Sequence, residues 1–170
     1  MGSNAAPARR RSVRRRPGQF IEIDLGNGAR GFGRVLCEPE FAFYDLIATS
    51  APPPPLDELG AKPIAFRLWV MNRAISSGRW KVIGATALPD ELIAPAVYFK
   101  QDPFTGKLAI YSAALKPPTY ERPATRRECE PLERAAVWDP EHVEDRLRDH
   151  FAGQPNNWVR SLQLDPLAQF

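Results

Sequence analysis

The chain has 170 residues, 44% of them apolar and 10% aromatic, which is enough to bury one core without disulfides or metals and too apolar for a fully disordered chain. No run approaches the roughly 18 uninterrupted apolar residues of a membrane span, and Pro17-Gly18-Gln19 stands where a secretory signal would need an apolar stretch, so the expected compartment is the cytoplasm. Of the 23 Lys and Arg residues, six (Arg9, Arg10, Arg11, Arg14, Arg15 and Arg16) lie in the first 16 positions, where there is no Asp or Glu. That leaves 17 basic against 20 acidic side chains, so the basic pI belongs to the arm and the body is net −3.

Residues 1–17 are small, polar and basic, and read as a disordered arm. Its six arginines suit nonspecific contact with nucleic-acid phosphates through counterion release, but no interleaved aromatics supply a sequence-reading device. From Gln19 the pattern becomes β-rich. Phe20, Ile21, Ile23 and Leu25 break at Gly26-Asn27-Gly28, then apolar runs resume through Phe32 to Leu36 and Phe41 to Ile47, which predicts a meander. Gly31 and Gly33, inside the second run, point to a bulge or tight bend. A phosphate-loop reading of GNGARGFG fails because no helix signal follows the glycines and no Gly-Lys-Ser/Thr is present.

Pro52–Pro55 and LDELG form a connection of at most two helical turns. IAFRLWVMNRAI and RWKVIGATAL then read as β-rich segments, and AVYFKQDPFTGKLAIYS as two strands around a turn, bringing the strand count to about seven. Trp69, Trp80, Phe99 and Tyr111 are expected in the core. Thr125 with Glu128 fits a capping box. The clearest helix is DPEHVEDRLRDHFAG, with Asp139 as N-cap, Pro140 at the first helical position and Gly153 as stop. Val143, Leu147 and Phe151 form its inward stripe, while Glu141, Glu144, Asp145 and Asp149 are expected to face outward. Trp138 is expected to staple the start of this helix, and Trp158, beyond it, is the tryptophan expected at the surface. The fold class expected is α+β, mostly β: an antiparallel meander or small barrel-like sheet with one C-terminal helix packed on it.

No catalytic, cofactor or metal residue is assigned. The two histidines, His142 and His150, stand about 12 Å apart along one helix, too far for one metal. Cys37 and Cys129 are isolated and read as buried inert thiols. No G-x-S-x-G elbow is present. Carboxylate pairs such as Glu38 with Glu40 have ordinary structural explanations, so an enzyme is the less favoured class.

Taken in order, GQFIEIDLGNGARGFGRVL, FAFYDL, FRLWVMNRAISSGRWKVIG, YFKQDPFTGKLAIY and RRECEPLERAAVWDPEHVEDRLRDHF resemble the immunity protein 26 family over about residues 18–158. This divides the chain into an arm (1–17), an immunity-26-like domain (18–158) and a C-terminal extension (159–170). The resemblance implies a mostly β bacterial protein of a polymorphic toxin system that binds and neutralises a cognate toxin domain, often a nuclease, by occlusion. It carries over no catalytic residue. The partner-binding candidates are Glu141, Glu144, Asp145 and Asp149 on the last helix, together with Trp158. Two other classes stay open: a small metal-independent hydrolase of ester, phosphoester or phosphotriester bonds, and a small β-barrel that binds peptide or nucleic acid.

Overall fold

A computed structural model describes residues 13–165. Its strands are β1 (Gln19–Gly26), β2 (Ala29–Val35), β3 (Glu40–Ala48), β4 (Ile64–Val70), β5 (Lys81–Ala85), β6 (Tyr98–Gln101), β7 (Leu108–Tyr111), β8 (Glu121–Pro123), β9 (Glu133–Arg134) and β10 (Val137–Trp138). The helices are α1 (Leu56–Gly60), α2 (Arg73–Ser76), α3 (Asp90–Ile93), α4 (Arg126–Cys129), α5 (Pro140–Phe151) and α6 (Asn157–Ser161). The architecture is α+β and mostly sheet, as the apolar alternation predicts.

The meander is present: β1 to β4 pair antiparallel with their neighbours in succession. The β1–β2 hairpin turns on Gly26, Asn27 and Gly28 at φ +85°, +53° and +77°, left-handed values that glycine and asparagine tolerate best. The expected bulge between Gly31 and Gly33 is also there. Two features of the expected arrangement differ. The strands form two sheets, with orders β10-β4-β3-β2-β1-β5 and β8-β7-β6-β9, and neither closes into a barrel. The edge strands β10 and β9 run parallel to β4 and β6, so the ladder is mixed. The end of the IAFRLWVMNRAI segment is helical, forming α2.

The larger sheet is covered on both faces, which is why β2 is buried almost throughout. One face carries Ile21, Ile23, Leu25, Val35, Phe41, Phe43, Phe66 and Leu68 against Trp80, Trp138 and the Val143 and Leu147 stripe of α5. The other carries Phe20, Phe32 and Tyr44 against Leu59 of α1. Gly31 permits the helix to sit close: a Cβ there would stand 3.3 Å from both Leu147 Cδ1 and Leu25 Cδ1. Arg34, on the α1 side, is also buried. It donates to Thr86 O (3.1 Å), Ala87 O (2.7 Å) and Thr86 Oγ1, and lies 4.2 Å over the Phe20 ring. The segment after β5 is thereby tied to β2.

At the N-terminus the body begins earlier than residue 18. Arg15 donates to Glu40 O (3.0 Å) and Val70 O (3.2 Å) and lies 4.1 Å from the Phe41 ring centroid. Burial pulls its guanidinium down to about 10, opposed by the charge of Glu38, so it is still protonated at neutral pH. Arg14 and Arg16 are exposed, and Arg9, Arg10 and Arg11 lie outside the described residues. No helix among the described residues is long and apolar enough to cross a membrane.

Candidate functional site

Helix α5 starts where its sequence signals it. Asp139 occupies the N-cap position and Pro140 the first turn, although the Asp139 side chain makes no capping bond. Its carboxylate instead accepts from Arg73 NH2 at 2.7 Å, and Arg73 NH1 donates to Glu141 Oε1 at 2.9 Å. Arg73 caps the pair from α2, across the top of the core. These donors hold the Glu141 carboxyl at about 2, the Arg73 hydrogen bond being the main cause.

Glu144 was expected on the outer face, and here the structure corrects the sequence. It is only 6% exposed. Arg79 donates to its two oxygens at 2.6 and 2.7 Å, and the Trp80 indole Nε1–H donates at 2.9 Å. With Arg79 NH1 also 3.2 Å from Glu141, the acidic first half of α5 is matched by two arginines from the α2–β5 region. Such a carboxylate braces the fold, because a buried charge is tolerated only when paired and hydrogen-bonded.

The second half of the face joins α6. Asp149 Oδ2 accepts from Asn156 Nδ2 at 2.8 Å, and Asn156 Oδ1 accepts from Val159 N at 3.0 Å, capping α6. Asp145 accepts from Arg148 and, at 3.2 Å, from the Trp158 indole. Partial burial opposes ionisation of Asp145, but those two hydrogen bonds outweigh it and hold its carboxyl below the usual range. Trp158 stacks on His142, with ring centroids 3.5 Å apart and planes at 20°, and is 39% exposed. The structure therefore gathers Asp145, Asp149 and Trp158 into one half-open patch, leaves Glu141 at its edge and withdraws Glu144. Val159 and Leu162, in the segment that follows, pack against the main core.

Outside this patch, several ionisable groups have structural partners. Glu40, 6% exposed, accepts from Tyr98 OH (2.6 Å) and from Arg67 Nε (3.1 Å) and NH2 (2.9 Å). Burial, reinforced by the charge of Glu40, pushes the Tyr98 phenol far up, so it serves as a donor. Cys129 is buried as expected, and burial, with Glu128 adding to it, raises its thiol and disfavours the nucleophilic thiolate. Cys37, expected to be buried, is exposed in the β2–β3 turn. The two histidines separate: His142 meets Trp158 and His150 Nε2 lies 2.8 Å from Asp45 Oδ1. Among the described residues, no three His, Cys, Asp or Glu side chains form a group able to hold a metal ion.

Of the expected core aromatics, Trp80 and Phe99 are buried, while Trp69 and Tyr111 are half-buried between the two sheets. Trp138 is buried beside Val143, in keeping with its expected staple position. The most exposed large apolar side chain among the described residues is Phe104, at 95%. Sequence reasoning passed over it although the signal was available: a phenylalanine inside an Asp-Pro-x-Thr-Gly turn has no strand face on which to hide.

The model of one family, Immunity protein 26, matches residues 16–107, just over half of the chain. No curated protein and no solved structure matches it.

Proposed function

The chain belongs to the immunity protein 26 family, and we propose that it binds a cognate toxin domain of a bacterial polymorphic toxin system and neutralises it stoichiometrically, by covering its active site in the cytoplasm. Family membership is the observation that carries this reading. The engagement of Glu40, Tyr98 and Glu144 in structural hydrogen bonds favours binding over turnover.

Of the predicted surface, Trp158, Asp145 and Asp149 are the part suited to such contact, with His142, not among the residues expected, stacked beneath Trp158. Trp158 is an amphipathic ring already fixed by stacking and by its indole bond to Asp145, so little side-chain freedom is lost when it is covered. Glu141 contributes at the rim, and Glu144 acts from behind by fixing the helix. Carboxylates around an aromatic centre favour a toxin whose active site is basic, as a nuclease's is, and complementary charge of this kind mainly speeds and selects association. Exposed Arg14 and Arg16, continuous with the arm, are suited to nonspecific phosphate contact.

Co-expression with the toxin encoded by the adjacent gene tests the reading. Protection of the host, with a 1:1 complex recovered from purified components, is expected. Replacing Trp158 with Ala is expected to weaken that complex at least tenfold. Absence of both protection and binding would refute the reading.

A further inference from the structure

Helix α6 is five residues long, too short to persist alone in water, so its place depends on what grips its two ends. The N-terminal grip is Asn156, whose Oδ1 accepts from Val159 N at 3.0 Å. The C-terminal grip comes from a distant part of the chain. Arg134, on β9 of the smaller sheet, donates through Nε to Leu162 O at 2.9 Å and through NH2 to Gln163 O at 3.1 Å. Leu162 is the C-cap of α6, and at that end a helix leaves carbonyls unmatched and favours a cation. The guanidinium lies 4.9 Å from the Phe99 ring centroid. Burial lowers its pKa against the opposing charge of Asp165, so these bonds are partly shielded from water, where they are stronger.

Two further side chains extend the grip. Arg134 NH2 also donates to Gln101 Oε1 at 3.1 Å, the same oxygen accepts from Asp165 N at 3.0 Å, and Arg126 NH1 donates to Asp165 O at 3.1 Å. Every one of these contacts with residues 162–165 is to a main-chain atom. Packing along the segment is incomplete, because an open cleft of about 400 Å³ runs beside it, lined in part by Phe99, Leu132, Val159, Leu162 and Leu164. The polar clamp therefore carries much of the seating. What it seats is the carrier of Trp158, whose ring stacks on His142 and whose indole is bonded to Asp145, both on α5. A small rotation of so short a helix disturbs both contacts.

We propose that Arg134 is a positioning residue of the toxin-binding surface. By clamping the C-terminal end of α6 onto the smaller sheet, it holds the Trp158 ring in the orientation in which the partner meets it. The smaller sheet thereby serves a surface to which it contributes no contact residue of its own. This rests on the immunity reading above.

The test uses the full chain and two variants. Arg134→Met keeps a long stem against Phe99 but removes the donors, and Arg134→Lys keeps the charge but not the fork. In the free protein the His142 ring protons report the stack by NMR, because the indole shields them, and Trp158→Ala sets their unshielded position. Arg134→Met is expected to move them at least halfway to that position, with Arg134→Lys between it and wild type. Binding to a catalytically inactivated form of the toxin domain encoded by the adjacent gene is measured by calorimetry, well below the melting temperature. Arg134→Met is expected to weaken it about fivefold in the wild-type background and by less than about twofold in Trp158→Ala, where the ring it positions is already gone. Unchanged His142 shifts in Arg134→Met refute the positioning role. So does an equal loss of affinity in both backgrounds, or an affinity within about twofold of wild type, and in each case the immunity reading stands because wild type binds. If wild type neither binds nor protects, the immunity reading itself falls, and the place of Arg134 in the interface falls with it.

Discussion

Glu128 and Glu141 show at the scale of single residues how ionisable groups support this fold without being buried. Glu128 completes the capping box of α4: its Oε2 accepts from Thr125 N at 2.8 Å, and Arg122 lies 2.9 Å from Oε1. The hydrogen bonds from Thr125, then that from Arg122, hold its carboxyl at about 2, where Glu141 also lies. Both folded values are lower than the ordinary 4.5. Stability from these groups is therefore present above about pH 4.5 and is lost as pH falls toward about 2. Melting temperatures followed from pH 6 to pH 2 are expected to decline over that window in wild type. The decline is expected to be shallower in Glu128→Gln and Glu141→Gln. A slope identical in all three proteins would contradict the assignment. Both sites are exposed, so added salt should shrink the effect.

Helix α5 shows how an element is positioned by what its neighbours lack. Its Leu147 is fully buried, and the absence of a side chain at Gly31 lets it sit close over β2. Gly31→Ala puts a methyl group 3.3 Å from Leu147 and Leu25, tighter than an ordinary contact, so it is expected to destabilise. Leu147→Ala is expected to cost about 3 kcal/mol through lost burial and the cavity left behind. The double variant is expected to be more stable than the sum of the two losses predicts, because truncating Leu147 makes room for the added methyl. Urea unfolding of the four proteins measures that coupling, and strict additivity would show that Gly31 is not what seats the helix. The same helix carries the corrected residue. Glu144 lies only one residue beyond Val143, and a 100° step leaves it near the edge of the apolar stripe, where Arg79 and Trp80 close over it.

For the whole molecule the question is how two sheets hold together. Trp69 of β4 packs on Tyr98 of β6 and Tyr111 of β7, with ring centroids 4.8 and 5.2 Å away. Beside them the Tyr98 hydroxyl reaches Glu40 of β3 at 2.6 Å, and Arg67 of β4 donates to Glu40 and to Ala94 O at 2.8 Å. The seam is aromatic with one buried ionic brace. Trp69→Ala is expected to raise amide exchange in β6 and β7 well above that in β1 to β3, since the smaller sheet loses its aromatic contact with Trp69 of the larger one. Uniform acceleration across both sheets would instead indicate a single cooperative unit. The same seam explains why a barrel-like closure does not form: the second sheet packs through side chains, and β5 and β10 remain the edges of the first.

The local signals in the sequence determined the strands of the meander, the Gly-Asn-Gly hairpin, the capping box, and the start and inward stripe of α5, because each depends on neighbours within a few residues and on a fixed period. They also separated the basic arm from the acidic body. Tertiary structure alone decided the rest. Glu144 became a buried brace because Arg79 and Trp80, 65 and 64 residues away along the chain, arrive on its side of the helix. Arg15 left the arm because Phe41 and two backbone carbonyls of the body accept it. Trp69 and Tyr111 became a seam because the strands divided into two sheets. Side-chain burial depends on which distant segments meet, and periodicity along one segment carries no record of them.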